Sequence, residues 1–335
     1  MPQTVKIVIP MAGFGTRLRP HTWSKPKPLL KVAGRAVLDH FLEQFDTLPD
    51  IFDAEYVFIV GTQGDQIKAY MDANHPRKRV NYITQKQMRG QSDALHQARK
   101  FLTGPMLMVF SDTLIEVDLA FLAEEKVDGV AVVKRVPDPR RFGVAEVDDR
   151  GWVKRLIEKP QDISNNLALV GFYYFCSAEA LVAAIEEQMR QGITLRGEYF
   201  LADAINILLE KGDRMRIEEI ETWLDAGTPD ALFDTNRYYL QHGFDNSEQA
   251  ARPGVAIIPP VFIHESAQVE SAVIGPDVSL GSACRVKDAV IRNAIIDDGT
   301  NIEGMILENT LIGKNSIIHG QVQNLNLGDD VWMKR

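Results

Sequence analysis

Cysteines and long apolar runs are both scarce in this sequence, and each scarcity argues against a class of protein. The only two cysteines, Cys176 and Cys284, lie far apart and outside any Cys-x-x-Cys motif, so neither a disulfide framework nor a zinc site is predicted. No apolar run approaches the roughly 18 residues that a membrane-spanning helix requires, and the N-terminus enters a strand pattern without signal-peptide features. We therefore expect a cytoplasmic protein with reduced thiols and no membrane partner.

An excess of basic charge is also lacking. The 335 residues carry 37 Lys and Arg against 46 Asp and Glu, a net charge of −9, which argues against nucleic acid as a partner. The chain is 45% hydrophobic, and this composition and length suit two domains with separate cores.

Apolar strands alternate with amphipathic helices along the first part of the chain. This alternation predicts an α/β domain with a Rossmann-like sheet that is mixed but mainly parallel. Ser92 is the expected N-cap of a helix that continues to Phe101. The first four strands are expected at residues 5–10, 56–60, 80–84 and 106–110.

A glycine-rich turn carrying basic residues follows the first strand. Gly13 and Gly15 would let backbone N–H groups approach phosphates, and Arg17 and Lys27 would supply positive charge. Leu18 occupies the place of the third glycine of a dinucleotide-binding turn, and no Gly-Lys-Ser/Thr triplet of a P-loop occurs. A tight turn with a solvated basic edge is the alternative interpretation.

This turn and the motifs after it resemble the sugar nucleotidyltransferases, also called nucleoside-diphosphate-sugar pyrophosphorylases. The resemblance runs in the family's order over about two thirds of the chain. It rests on Gly13-x-Gly15-Thr16-Arg17, Lys27, Phe110-Ser111-Asp112, Phe142-Gly143-Val144, Ile157-Glu158-Lys159-Pro160, Gly197-Glu198-Tyr199 and Trp223-Leu224-Asp225-Ala226-Gly227.

The resemblance implies an enzyme that transfers a nucleotidyl group from an NTP to a sugar 1-phosphate and releases pyrophosphate. Mg²⁺ is the implied cofactor, and Asp112 and Asp225 are its implied ligands, since magnesium prefers hard oxygen donors. Each aspartate could instead be a turn or cap residue.

The resemblance also assigns the substrate contacts. Arg17, Lys27 and Lys159 are the implied catalytic cations, of which Lys159 would hold the phosphate of the sugar 1-phosphate. The remaining implied nucleotide contacts are Ala12, Gly13, Gly15, Thr16, Gln85 and Gly90, and the implied sugar contacts are Gly143, Glu158 and Glu198. A solvent-exposed ion pair, a helix start and simple turns are the corresponding structural alternatives for the sugar contacts.

The sequence does not determine the base of the NTP or the sugar of the sugar 1-phosphate. The Gln85 amide suits uracil or thymine because it can both donate and accept, but the sequence Gly90-Gln91-Ser92 departs from the family's usual loop, and Ser111 replaces a frequent glycine. We expect dTTP or UTP with a glucose-type phosphate. The alternatives are mannose 1-phosphate with GTP, a phosphocholine-type acceptor, or a regulatory subunit that has lost catalysis.

The last part of the chain repeats aliphatic residues at six-residue steps, as in Ile274, Leu280 and Val286. This period is typical of a parallel β-helix, and it resembles the hexapeptide-repeat domains of long nucleotidyltransferases. We predict a nucleotidyltransferase domain at 1–243, a polar linker at 244–256 and a short left-handed β-helix at 257–335. We expect this last domain to form a homo-oligomer, although an acyltransferase role using His264 and His319 is an alternative.

Overall fold

A computed structural model describes residues 2–320. The described chain forms two compact units. The first contains residues 2–30 and 36–231, and the second contains residues 31–35 and 232–320. The part of the predicted C-terminal domain beyond residue 320 lies outside the described residues.

The first 225 residues contain thirteen of the described strands and most of the helices. The strands are β1 (Gln3–Met11), β2 (Lys31–Val32), β3 (Arg35–Ala36), β4 (Phe52–Val60), β5 (Val80–Thr84), β6 (Met106–Val109), β7 (Thr113–Ile115), β8 (Gly129–Arg135), β9 (Gly143–Val147), β10 (Val153–Glu158), β11 (Leu167–Phe175), β12 (Met215–Glu219) and β13 (Trp223–Asp225). The α-helices of this part are α1 (Val37–Glu43), α2 (Gly64–Asn74), α3 (Gln91–Ala98), α4 (Ala178–Gln191) and α5 (Leu201–Glu210), and α6 (Pro229–Tyr239) follows them.

A nine-stranded mixed sheet organises the first unit. Strands β6, β1, β4 and β5 are parallel neighbours, as predicted, whereas β11 runs antiparallel to β6, β8 and β9. Val5, Ile7 and Ile9 of β1 have no exposed surface, and neither does Val8, whose side chain faces the other way. Burial on both faces explains why residues 7–11 of β1 are all apolar.

A separate two-stranded antiparallel sheet joins β7 to β13. Its register sets Asp225 opposite Thr113 and Trp223 opposite Ile115. The sequence analysis did not predict this sheet, because both strands are only three residues long and lie far apart in the chain.

The expected cap role of Ser92 is wrong. Gly90 is the N-cap of α3, and Ser92 lies inside that helix. The Ser92 hydroxyl instead donates to the Phe200 carbonyl at 3.1 Å. An N-cap hydroxyl would accept a hydrogen bond from a backbone amide of its own helix. The Ser92 hydroxyl instead bonds a carbonyl that lies far along the chain.

The second unit stacks short parallel strands along its C-terminal part. These strands are β14 (Val255–Ile257), β15 (Val261–Ile263), β16 (Gln268–Glu270), β17 (Ala272–Ile274), β18 (Val278–Leu280), β19 (Arg285–Lys287), β20 (Val290–Ile296), β21 (Asn301–Glu303), β22 (Ile306–Ile312) and β23 (Ile317–His319). Ile257 pairs with Ile274, and Ile274 pairs with Ile291. This vertical repeat of aliphatic residues, two of them fully buried, gives a β-helix-like arrangement.

The predicted linker at 244–256 is packed within the second unit. The Asp245 carboxylate accepts from the Val261 backbone, Asn246 bonds the backbone of Ile263, and Ala250 is buried in the unit's core. The polar side chains of this segment therefore form hydrogen bonds with the backbone of β15. Composition alone could not show whether these side chains bond to the protein or to water.

Residues 31–35 also belong to this unit, although the sequence analysis placed them in the first domain. Lys31 Nζ lies 2.7 Å from the Asp298 carboxylate, and the Ala33 amide donates to Asn236. Residues 31–35 are about 200 residues away in sequence from the rest of this unit. The local sequence therefore gives no sign that they belong to it.

No helix in the described part of the chain is long and apolar enough to cross a bilayer.

A polar pair crosses the parallel part of the main sheet. Lys6 on β1 lies opposite Glu55 on β4, with 2.7 Å between Nζ and Oε2, and Asn81 donates to the other carboxylate oxygen. The hydrogen bond from Lys6 holds the pKa of Glu55 below its ordinary value of 4.5, against the opposing effect of burial. The charged carboxylate therefore stabilises the fold above that value, and this contribution is lost as pH falls.

We predict that Glu55→Gln lowers the free energy of unfolding by about 1 kcal/mol at pH 7, since Lys6 loses its charged partner. The difference from wild type should shrink as the pH falls from 4.5 through the lowered pKa of Glu55 in the folded chain, because the wild-type carboxylate then becomes neutral as well. Urea unfolding at several pH values measures this. Glu210→Gln, an exposed change at the end of α5, is the control and should change stability by less than about 0.5 kcal/mol at every pH. A Glu55→Gln difference independent of pH would contradict the assignment.

Candidate functional site

The glycine-rich turn begins where β1 ends. Gly15 has φ of +58°, in the left-handed region that glycine tolerates best, and its carbonyl accepts a 2.8 Å hydrogen bond from the Thr22 hydroxyl. A Cβ at Gly15 would come within 3.0 Å of Thr22. This turn is therefore held in one shape by a contact that needs glycine.

A cavity of about 450 Å³ opens beside this turn, at the carboxyl ends of the parallel strands. It brings together all eight residues that were predicted from the sequence to contact the nucleotide. Those that line it are Ala12, Gly13, Gly15, Thr16, Arg17, Lys27, Gln85 and Gly90, together with Asp112 and Glu198.

A second cavity, of about 360 Å³, adjoins the first. Arg17 and Asp112 line both cavities. Asp225, Gly143 and Glu158 line only the second, together with Arg141 and Trp223. The two cavities therefore share a wall that carries one cation and one carboxylate.

Lys27 neutralises Asp112 at this wall. Its Nζ lies 2.5 Å from Asp112 Oδ2, and the Lys27 side chain is only 12% exposed. Burial by itself would raise the pKa of Asp112, but Lys27, with a smaller effect of Arg17, holds that pKa below its ordinary value. Asp112 is therefore a charged carboxylate.

Asp225 reaches the same place through the β7–β13 pairing, which sets it opposite the residue after Asp112. The Gly227 amide donates to Asp225 Oδ1 at 2.7 Å. Burial, and then the charge of Asp112, raise the pKa of Asp225. Two carboxylates close enough to repel each other would gain from a shared divalent cation, and their oxygen donors are of the type that magnesium prefers. The described residues contain no group of three or more Asp, Glu, His or Cys side chains suited to a metal.

Glu158 and Gly143 lie opposite each other on β10 and β9. A Cβ at Gly143 would come within 3.1 Å of Glu158 Oε2, so a larger residue would crowd this carboxylate. Burial raises the pKa of Glu158, a nearby Asp203 raises it further, and Lys159 opposes both. This wall of the second cavity thus offers a partly desolvated hydrogen-bond acceptor.

Lys159 and Glu198 were predicted to contact the sugar 1-phosphate, but neither lines the second cavity. The described lining of neither cavity includes Lys159. Its Nζ lies 3.8 Å from Glu158 Oε1 and 5.2 Å from the centre of the Phe200 ring. Glu198 lines the larger cavity, whereas Glu158 lines the second.

Several residues of the cavities were not singled out from the sequence. Trp223 packs its ring 4.9 Å from that of Phe142, and Arg141 lies beside them at the second cavity. Trp223 belongs to a motif quoted above, although no role was predicted for it, and Arg141 directly precedes another, so these motifs were the available signal. Asp93, buried behind Gln85, had no such signal.

Two models of known protein families match this chain. The family model described as "Nucleotidyl transferase" matches residues 6–242, and the model described as "GMPPB C-terminal domain" matches residues 257–335.

The relatives found include two nucleotidyltransferases. A glucose-1-phosphate thymidylyltransferase of Streptomyces griseus is 30% identical, over 93% of this chain and 92% of that protein. The UTP--glucose-1-phosphate uridylyltransferase AglF of Haloferax volcanii is 29% identical, over 68% of this chain and 93% of that protein.

Solved structures show a related fold. A putative glucose-1-phosphate thymidylyltransferase from Bacillus anthracis, in complex with a sucrose, superposes with a TM-score of 0.59 at 25% identity, over 70% of this chain and 94% of that one. A UDP-glucose pyrophosphorylase complexed with UDP-glucose gives a TM-score of 0.61 over 72% of this chain and 100% of that one, and at 19% identity it supports the fold alone.

Proposed function

Because this chain belongs to the nucleotidyl transferase family, we propose that it transfers a nucleotidyl group from an NTP to a sugar 1-phosphate, giving an NDP-sugar and pyrophosphate. The observation that carries the proposal is the pair of adjoining cavities. Arg17 and Asp112 lie on their shared wall, and Asp225 stands beside them.

The larger cavity takes the NTP in this account. The open backbone at Gly13, where nothing lies within 4 Å of a Cβ position, leaves room for phosphate oxygens next to amide donors. Arg17 holds the phosphates that leave as pyrophosphate. Lys27 balances the charge that builds on the α-phosphate.

The second cavity takes the sugar 1-phosphate. Glu158 accepts hydrogen bonds from sugar hydroxyls, and the small Gly143 lets the ring approach the backbone beside it. Lys159 Nζ lies 3.8 Å from Glu158 Oε1, so its positive charge stands beside the proposed sugar site and would attract the acceptor phosphate. Glu198 lies at the larger cavity, which favours a contact across the boundary between the two substrates.

The reaction is a displacement at phosphorus. An oxygen of the sugar phosphate attacks the α-phosphorus, and the bond to the β-phosphate oxygen breaks. The attacking oxygen is already anionic at neutral pH, so the step needs no general base. The protein has to bring two mutually repelling anions into line and neutralise the charge of the leaving group.

Mg²⁺ is the cofactor proposed for Asp112 and Asp225. Their carboxylates would hold it, and when bound it would supply positive charge to the phosphates. Burial and the neighbouring Asp112 raise the pKa of Asp225. A divalent cation beside both carboxylates would favour their charged forms, which supports this proposal.

A glucose-type phosphate with dTTP or UTP is the favoured substrate pair, because the names of two relatives combine glucose 1-phosphate with these bases. For the C-terminal unit we propose a left-handed β-helix that joins copies of the chain into a homo-oligomer, supported by its stacked parallel strands. A cytoplasmic location is proposed because both cysteines are free thiols. The domain limits 1–243 and 257–335 likewise stay proposals.

We predict pyrophosphate release when the chain is assayed with Mg²⁺ across a grid of NTPs and sugar 1-phosphates. Asp112→Asn should lower kcat by at least about a hundredfold. Because the change leaves the Lys27 amine without its charged partner, the thermal unfolding midpoint should also fall, while far-UV circular dichroism at the assay temperature should show that the fold is kept. The control is Asp149→Asn, an exposed turn position, which should keep wild-type rates. Near wild-type turnover by Asp112→Asn would refute its role, and a wild-type chain inactive with every pair would refute the proposed reaction.

We further predict that Lys159→Met raises KM for the sugar 1-phosphate at least about tenfold, while KM for the NTP changes less than about threefold, because the charge acts on the acceptor phosphate. Methionine keeps an unbranched stem against the Phe200 ring. The control is Lys154→Met, an exposed change on β10, the strand that ends directly before Lys159, and it should alter neither constant. Equal increases for both substrates would remove Lys159 from the acceptor side.

A further inference from the structure

A fully buried carboxylate lies behind the larger cavity. Asp93, on α3, has no exposed surface. It accepts from Arg89 Nη2 at 2.6 Å and from Gln97 Nε2 at 2.7 Å. A third and longer contact, 3.4 Å, joins its Oδ2 to Gln85 Nε2.

This carboxylate determines which end of the Gln85 amide faces the cavity. An amide carbonyl turned toward Asp93 would place two negative oxygens together, whereas the NH₂ group is attracted to it. Gln85 is itself only 7% exposed and lines the cavity. Within residues 2–320, no donor is found for its Oε1. The carbonyl oxygen is therefore the part of the amide left to meet a ligand.

We propose that Asp93 is a positioning residue for base selection: by holding the NH₂ group of Gln85, it presents the carbonyl oxygen of Gln85 to the base. The inference rests on the proposed function, since it takes this cavity as the NTP site. The site should then favour a base with a ring N–H donor and disfavour one with a ring acceptor at that position.

The bases divide into two groups by this chemistry. Uracil and thymine carry an N3–H donor, and guanine carries an N1–H donor. Cytosine N3 and adenine N1 have lone pairs there, which would face the lone pairs of Gln85 Oε1 and leave both groups without a hydrogen bond. The preference expected for the first group is at least about tenfold in dissociation constant, the ratio for one lost hydrogen bond in a dry site.

A purely structural role for Asp93 has a different signature. Because Asp93 also bonds Arg89 and Gln97, losing it could loosen the loop between β5 and α3. Such loosening would weaken every NTP by a similar factor, whereas loss of the amide orientation would change the ratio between bases. The ratio therefore separates the two roles.

The test measures binding of UTP, dTTP, GTP, CTP and ATP to the full chain by calorimetry, with Mg²⁺ and without any sugar phosphate. Asp93→Asn keeps the shape of the side chain but can present either a donor or an acceptor, so Gln85 is free to flip. The preference for UTP, dTTP and GTP over CTP and ATP should fall from at least about tenfold to below about threefold. Gln97→Met removes another partner of Asp93 without touching Gln85 and should keep the wild-type preference.

Gln85→Met gives a second measurement should Asp93→Asn fail to fold. It removes the proposed readout and leaves Asp93 in place, so it should also abolish the preference. Equal binding of all five nucleotides by the wild-type chain would overturn the inference, as would a uniform loss of affinity in Asp93→Asn with the ratios kept. The binding test contains no sugar phosphate, so its result does not depend on transfer. A chain that shows the base preference here but releases no pyrophosphate in the activity assay with sugar 1-phosphates would refute the transfer reaction and leave this inference standing.

Discussion

The arrangement depends on how two partly buried carboxylates are neutralised beside the glycine-rich turn. Asp112 and Asp225 lie close enough for the charge of one to raise the pKa of the other. Lys27, with its amine 2.5 Å from Asp112, keeps that carboxylate charged in a position where burial opposes the charge. This balance of charges lies at the wall that the two cavities share. The proposed chemistry uses that balance to hold two anionic substrates next to each other.

Two different kinds of sheet bring these residues together. The parallel strands of the main sheet end at one edge, which places the glycine-rich turn and Asp112 side by side, as is general for open α/β sheets. The short β7–β13 ribbon then brings Asp225 opposite Thr113. On the far side, the antiparallel β9–β10 pair sets Gly143 opposite Glu158. The first cavity thus depends on the parallel half of the sheet, and the second on the antiparallel half.

Much of the main sheet could be predicted because buried parallel strands are almost uniformly apolar. Strand β5 has the predicted limits, and β1 differs from the prediction by only a few residues. The β7–β13 ribbon escaped prediction because three-residue strands carry too little pattern. Ser92 was misassigned because its partner, the Phe200 carbonyl, lies far along the chain.

The residues of the candidate site could be predicted where they belong to a motif. They could not be predicted where a residue contacts a cavity residue without lining the cavity itself. Gly13, Arg17, Lys27, Gln85 and Asp112 all line one cavity, as their motifs suggested. Asp93 was missed because its effect runs through Gln85, a relation that only the fold reveals. The 31–35 segment and the 244–256 segment illustrate the same limit, since packing rather than composition decides where they belong. The measurement that tests the central claim most directly is a crystal structure with Mg²⁺, a non-hydrolysable NTP analogue and a sugar 1-phosphate. The account predicts the triphosphate at Arg17 and Lys27 and the sugar at Gly143 and Glu158, whereas a triphosphate bound away from the glycine-rich turn would contradict it.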